Sequence, residues 1–171
     1  MVDRKKTAAY ADNFAAFIDD IRAHWGLPQL PVVIGELGSG GFKASKGIEL
    51  FRTAQREITS IERFKGNVQF VETARYWDWH ADRLFRLNVW KSEELAEKQR
   101  FYDVGSDRPY HYLGSGKIYY LMGWAMGHGM KSLLELGGLP ERKTTGSGAY
   151  KFAHRSVYIP PAVKAHIGGA H

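Results

Sequence analysis

Pro31-Val-Val-Ile-Gly35 is short, β-branched and continuously apolar, the pattern of a strand covered on both faces. What lies before it is helical. Tyr10, Phe14, Phe17, Ile18, Ile21 and Trp25 recur at intervals of three and four, which predicts an amphipathic helix over 7–25. Gly26 supplies a C-terminal stop and Pro28 stands just beyond it. The same order then repeats. A second amphipathic helix is expected over 46–64, with Phe51, Ala54, Ile58 and Ile61 on one stripe and Arg52, Gln55, Arg56 and Glu57 around the rest. Gly66 ends it, and Asn67-Val-Gln-Phe-Val-Glu-Thr73 makes a second strand. Two helix-then-strand units in succession favour a parallel sheet with helices on its faces, an α/β fold.

The loop that follows the first strand, Gly35-Glu-Leu-Gly-Ser-Gly-Gly-Phe42, is rich in glycine but does not match G-x-G-x-x-G and carries no dinucleotide fingerprint. It is either a flexible connection or part of a ligand site. The carboxyl end of a parallel strand is where α/β folds place ligands, so Glu36 is a candidate site-lining carboxylate. Between Arg75 and Pro109 the periodicity breaks into an aromatic and charged insertion with Tyr76, Trp77, Trp79, Phe85 and Trp90, then a charged run from Lys91 to Arg100. Indole faces near a cleft stack on sugar rings, and elsewhere they are core.

A last helix is expected over 116–136, with Ser115 as N-cap and Gly137 as its stop. Gly123, Gly127 and Gly129 inside it each cost up to about 1 kcal/mol against alanine, which implies that another backbone comes close there. His111 sits in the polar Asp107-Arg-Pro-Tyr-His-Tyr-Leu-Gly-Ser-Gly116 loop just before this helix. An imidazole held at a cleft by a rigid scaffold can take and return a proton near neutrality, although a loop histidine is also commonly just solvated.

Composition narrows the classes. A length of 171 residues fits one domain, and 44% hydrophobic with 13% aromatic residues builds an ordinary core. With no cysteine, disulfides, thiolate metal sites and a cysteine nucleophile are excluded. The net charge is +6, but the stretch 142–171 carries Arg142, Lys143, Lys151, Arg155 and Lys164 and no Asp or Glu, so it accounts for five of the six charges. A basic tail of this kind is a solvated terminus or a phosphate-binding arm, and no nucleic-acid motif accompanies it. No nucleic-acid partner is therefore expected. The opening MVDRKKTAAYADN is polar and lacks the apolar core of a secretory signal. The longest membrane-like stretch, 118–130, contains His128 and falls short of the about 20 residues that a span needs, so a soluble chain is expected, with no membrane partner.

The ordered set Tyr10…Phe17-Ile-Asp-Asp-Ile-Arg22, Leu30-Pro-Val-Val-Ile-Gly-Glu36, Phe51-Arg-Thr-Ala-Gln55, Gly66-Asn-Val-Gln-Phe-Val-Glu-Thr73 and His111-Tyr-Leu-Gly-Ser-Gly-Lys-Ile-Tyr119 resembles the carbohydrate esterases of the sialate O-acetylesterase type, in the SGNH hydrolase superfamily. The resemblance runs in order over about 7–136. It implies a three-layer α/β/α sandwich and hydrolysis of acetyl esters on sugars by a serine nucleophile, a histidine base and an acidic partner, with no metal and no other cofactor. By position His111 matches the family's base. The family's Gly-Asp-Ser or Gly-Gln-Ser block, its oxyanion blocks and its Gln-Gly-Glu segment are absent from these 171 residues. Ser39 in Leu-Gly-Ser-Gly lacks the G-x-S-x-G frame.

The expectation is thus a sandwich truncated on its N-terminal side. Residues 1–137 would be the carboxyl-terminal part of an esterase domain and 138–171 a basic Gly- and Pro-containing tail. His111 is the candidate base and Asp107 its candidate acid, although many superfamily members place Asp three residues before the His, where Arg108 stands here; Asp78 is another candidate acid. Glu36, Trp77 and Trp79 are candidate substrate-binding residues for an acetylated carbohydrate. Without serine and oxyanion donors, inactivity of the chain alone is expected. A homo-oligomer or a separately encoded N-terminal half would cover the exposed sheet edge. Family members are often exported; localisation is left open. The alternative is a noncatalytic carbohydrate-binding or scaffold domain using Trp77, Trp79 and Trp90.

Overall fold

The computed structural model describes residues 4–137. Its elements in order are α1 (Arg4–Ala8), α2 (Tyr10–Trp25), β1 (Val32–Gly35), α3 (Lys46–Glu57), β2 (Val68–Val71), α4 (Trp79–Arg86), α5 (Leu95–Tyr102) and α6 (Gly116–Gly137), joined by loops that contain short 3₁₀ turns. β1 and β2 pair in parallel, with Val32 opposite Val68 and Gly35 opposite Val71. A parallel pair needs a crossover, and α3 supplies it.

The pleat sends alternate side chains to two helical layers. On one face Ile34 and Val68 pack with Ala15 and Ile18 of α2 and with Ile58 and Phe64 from the turns after α3. On the other face α6 lies against both strands: a Cβ added at Gly35 would stand 3.2 Å from Met126 Sδ, and one at Gly129 would stand 3.2 Å from Val71 Cγ2. Helices therefore cover both sides of a two-stranded parallel sheet among the described residues, a mixed α/β arrangement. α2 ends at Gly26, left-handed at φ 64°, where the Leu27 amide returns to Arg22 O. Arg22, 6% exposed, then donates to Leu30 O and to Asn67 Oδ1, both at 2.7 Å, which ties the entry of one strand to that of the other.

Several sequence expectations change in detail. The helix expected over 46–64 is α3 as far as Glu57, followed by two 3₁₀ turns over 58–60 and 62–64. Arg52 and Gln55, placed on its polar side, are only 4% and 5% exposed because they hydrogen-bond to β1 and the loop after it. The aromatic and charged insertion folds into α4 and α5 and makes a second core of Ala81, Leu84, Phe101 and Leu113, bordered by Trp77, Phe85 and Trp90. Ser115 stands at the start of α6 without capping it by its side chain, since its buried Oγ has no hydrogen-bond partner among the described residues. In α6 Gly129 meets side chains of β2, whereas Gly123 and Gly127 have nothing within 4 Å among the described residues. The tail and its basic residues lie outside the described residues. No helix among the described residues is long and apolar enough to cross a membrane.

Candidate functional site

Both strands release their chains at the same end of the sheet, and the loops that leave there carry most of the candidate residues. The loop after β1 is shaped from α3. The Arg52 guanidinium donates to Leu37 O at 2.7 Å, Gly41 O at 3.0 Å and Ser39 O at 3.2 Å, and pairs with Glu49 at 2.6 Å. One planar fork thus gathers three carbonyls of a glycine-rich segment that has no regular structure to satisfy them. Gln55 works one turn later. Its amide accepts from Leu37 N at 2.8 Å and donates to Gly35 O at 3.1 Å, which is what a neighbouring strand would do along that edge of β1.

Glu36 stands at the carboxyl end of β1, as the sequence places it, with a side chain that is only 5% exposed. Its Oε2 accepts from Ala74 N at 2.8 Å, while Oε1 lies 3.9 Å from both Arg52 and Arg56. Its own carbonyl accepts from the Thr73 hydroxyl at 2.6 Å. The carboxylate therefore joins the loops after β1 and β2 and is compensated by two guanidinium groups and an N–H, as a buried charge requires.

The loop after β2 brings in the tryptophans. Asp78 caps α4 by accepting from His80 N and Ala81 N, and its second oxygen lies 3.4 Å from Lys117 Nζ at the start of α6. Trp77 borders the second core, and its Nε1 is buried with no partner among the described residues. Trp79 is 39% exposed, with Lys43 Nζ 5.1 Å from its ring centroid. Gly41 makes this approach possible: a Cβ there would lie 2.8 Å from Trp77 Cβ and 2.8 Å from Trp79 Cζ2, and its φ of 53° suits glycine. Trp90 also borders the second core, stacked on Phe85 with centroids 5.8 Å apart.

His111 is exposed on the loop between α5 and α6, between two buried anchors, Pro109 and Leu113. Its carbonyl accepts from the Tyr119 hydroxyl at 2.8 Å. The next residues turn left-handed in succession, Tyr112 at φ 51°, Leu113 at 61° and Gly114 at 63°. For two bulky side chains this is an uncommon conformation. Gly114 is required there by space as well as by φ, because a Cβ would fall 2.0 Å from Ser106 Oγ. The loop reaches the rest of the site through Tyr112, whose hydroxyl accepts from Gly38 N at 3.1 Å and whose ring lies 6.2 Å from that of Trp77 and 5.9 Å from that of Tyr119. Burial pushes the Tyr112 phenol above its ordinary pKa, against the Gly38 hydrogen bond and the nearby Arg52, which lower it.

The structure thus joins the segments that carry Glu36, Trp77, Trp79 and His111. Asp107 is a different case: its side chain is 73% exposed and its Oδ2 lies 4.0 Å from Arg108 Nε, with no hydrogen bond or ion pair to His111 among the described residues. Arg52, Gln55, Thr73, Tyr112 and Tyr119 escape sequence reading, since each acts through a backbone atom of another segment, which no periodicity records. No group of three His, Asp or Glu side chains able to hold a metal occurs among the described residues.

The family model described as carbohydrate esterase, sialic acid-specific acetylesterase, matches residues 1–83. That span holds both strands, the loops that leave them, Glu36, Trp77 and Trp79, and ends before Asp107 and His111. No curated protein and no solved structure matches the chain.

Proposed function

We propose that the chain is the carboxyl-terminal part of a carbohydrate acetylesterase of the sialate type, built on the SGNH sandwich, in which His111 is the general base and the serine comes from residues outside these 171. The match of residues 1–83 to the acetylesterase family carries this reading. The link from Gly38 N to Tyr112 Oη supports it, because it brings the histidine loop to the strand end where Glu36, Trp77 and Trp79 gather.

In this reading an acetylated sugar stacks on the exposed Trp79 face, with Trp77 and Glu36 shaping the floor. The His111 imidazole accepts the proton of the serine hydroxyl as its oxygen bonds to the acetyl carbon, and returns that proton to the sugar oxygen as the ester bond breaks. Water then attacks the acyl-serine, gives its proton to the same imidazole, and acetate leaves as the proton passes back to serine. Asp107 serves as the orienting acid once its exposed carboxylate turns from Arg108 to the histidine. The chain alone lacks the attacking oxygen and the oxyanion donors, so it is inactive by itself.

The test is hydrolysis of an activated acetyl ester by the purified chain, with His111→Ala alongside. The two proteins should give the same background rate. A robust rate that disappears in the variant would overturn the proposal that the nucleophile lies elsewhere.

A further inference from the structure

We infer that Tyr112 is a ligand-binding residue, whose hydroxyl donates a hydrogen bond to an acceptor oxygen of the sugar ester. This inference rests on the acetylesterase reading and adds a residue to its site. The Tyr112 oxygen already accepts from Gly38 N at 3.1 Å, so one of its lone pairs is used by the protein. Its O–H has no acceptor among the described residues, although the side chain is partly buried. Burial raises the phenol above its ordinary pKa, so at neutral pH the hydroxyl keeps its proton.

The surroundings fix the direction of this donor better than a surface tyrosine could. The ring is set between those of Trp77 and Tyr119, at 6.2 and 5.9 Å. The backbone carries it at φ 51°, a left-handed conformation that a bulky residue keeps only where its surroundings impose it. Gly38, which holds the oxygen, belongs to the segment gathered by Arg52 and Gln55. A donor clamped in this way, beside an indole, fits a ligand that offers both an apolar ring face and neutral acceptor oxygens. An O-acetylated sugar offers both, whereas a cation or a purely apolar ligand offers nothing to an O–H.

The experiment uses the full 171-residue chain and an O-acetylated N-acylneuraminate, titrated by tryptophan fluorescence, with Tyr112→Phe as the variant. Phenylalanine keeps the ring between Trp77 and Tyr119 and removes the hydroxyl together with the bond it accepts from Gly38 N, so the amide spectrum of the free variant must match that of the unmutated chain outside Gly38 and Tyr112 for the loss to be read as a ligand contact. The expected result is a dissociation constant raised about fivefold in the variant, the size of one neutral hydrogen bond. Carbon NMR of the Tyr112 Cζ in the unmutated chain gives an independent reading should the variant fold poorly: the resonance should move as the sugar saturates the site. Equal affinity in Tyr112→Phe, or a Cζ signal unmoved at saturation, would overturn the role of Tyr112 and leave the esterase reading standing. Failure of the unmutated chain to bind the sugar would remove both.

Discussion

Arg52 is the residue on which the shape of the site depends most. It is 4% exposed and donates to Leu37, Ser39 and Gly41 carbonyls while pairing with Glu49. Replacing it by methionine keeps much of its volume but leaves three carbonyls without a donor and the Glu36 carboxylate with one guanidinium fewer. The expected cost is about 3 kcal/mol of unfolding free energy, measured by urea denaturation. A loss below about 0.5 kcal/mol, the level of an ordinary surface change, would mean that water replaces those bonds freely. Tyr112 gives a second test at this scale. Its folded pKa lies above the ordinary 10.0, chiefly through burial. The neutral phenol is therefore favoured by folding, so its share of stability is complete below pH 10.0 and is lost as pH rises through the folded value. Tyr10, raised by burial as well, acts in the same direction. Denaturation curves between neutral pH and the alkaline limit should show stability falling in that window, and Tyr112→Phe should make the fall shallower. An unchanged slope in the variant would show that Tyr112 is not among the groups responsible.

The elements divide into those that periodicity reveals and those it does not. α2, α6 and the two strands are legible because each buries one face or both against another layer, and burial leaves a repeat in the sequence. Gly26 marks the end of α2 for a local reason that holds regardless of context, its left-handed φ of 64°. α4 and α5 are eight residues each, too short for their repeats to stand out, and the charged run from Lys91 to Arg100 extends into α5. Gln55 shows a different limit. On a helical wheel it is polar surface, yet it completes an edge of β1, a role set by where α3 lies and not by α3 itself. Gln55→Leu should cost about 2 kcal/mol by leaving Gly35 O and Leu37 N without partners. Hydrogen exchange at the Leu37 amide reads this directly, and protection there equal to that of the unmutated chain would refute the role. The histidine loop is open to a similar test. Gly114→Ala places a Cβ 2.0 Å from Ser106 Oγ in a left-handed backbone, for an expected loss of about 2 kcal/mol by thermal denaturation. Adding Ser106→Gly should recover the steric part of that loss; no recovery would locate the whole cost in the backbone.

For the molecule as a whole, the sequence indicates which segments matter but not how they meet. His111 and Glu36 are visible as a loop histidine and a strand-end carboxylate, whereas the bond from Gly38 to Tyr112 that relates their segments joins residues 74 positions apart. Among the described residues, a sheet of two parallel strands also leaves each strand one side unpaired. On β1 the Gln55 amide covers the carboxyl end of that side. On β2 the outer side opens onto a groove of about 670 Å³ lined by Arg56, Gln69, Phe70, Trp124 and His128 among others. Parallel sheets are stable when buried at faces and edges alike, and an uncovered edge offers its N–H and C=O groups to another chain. We therefore propose that the purified chain associates with itself, and that sedimentation velocity at micromolar concentration will show dimers or larger species. A monodisperse monomer of the unmutated chain would show that these 171 residues need no further polypeptide to cover their sheet, and the proposal that the site is completed from outside would lose its structural support.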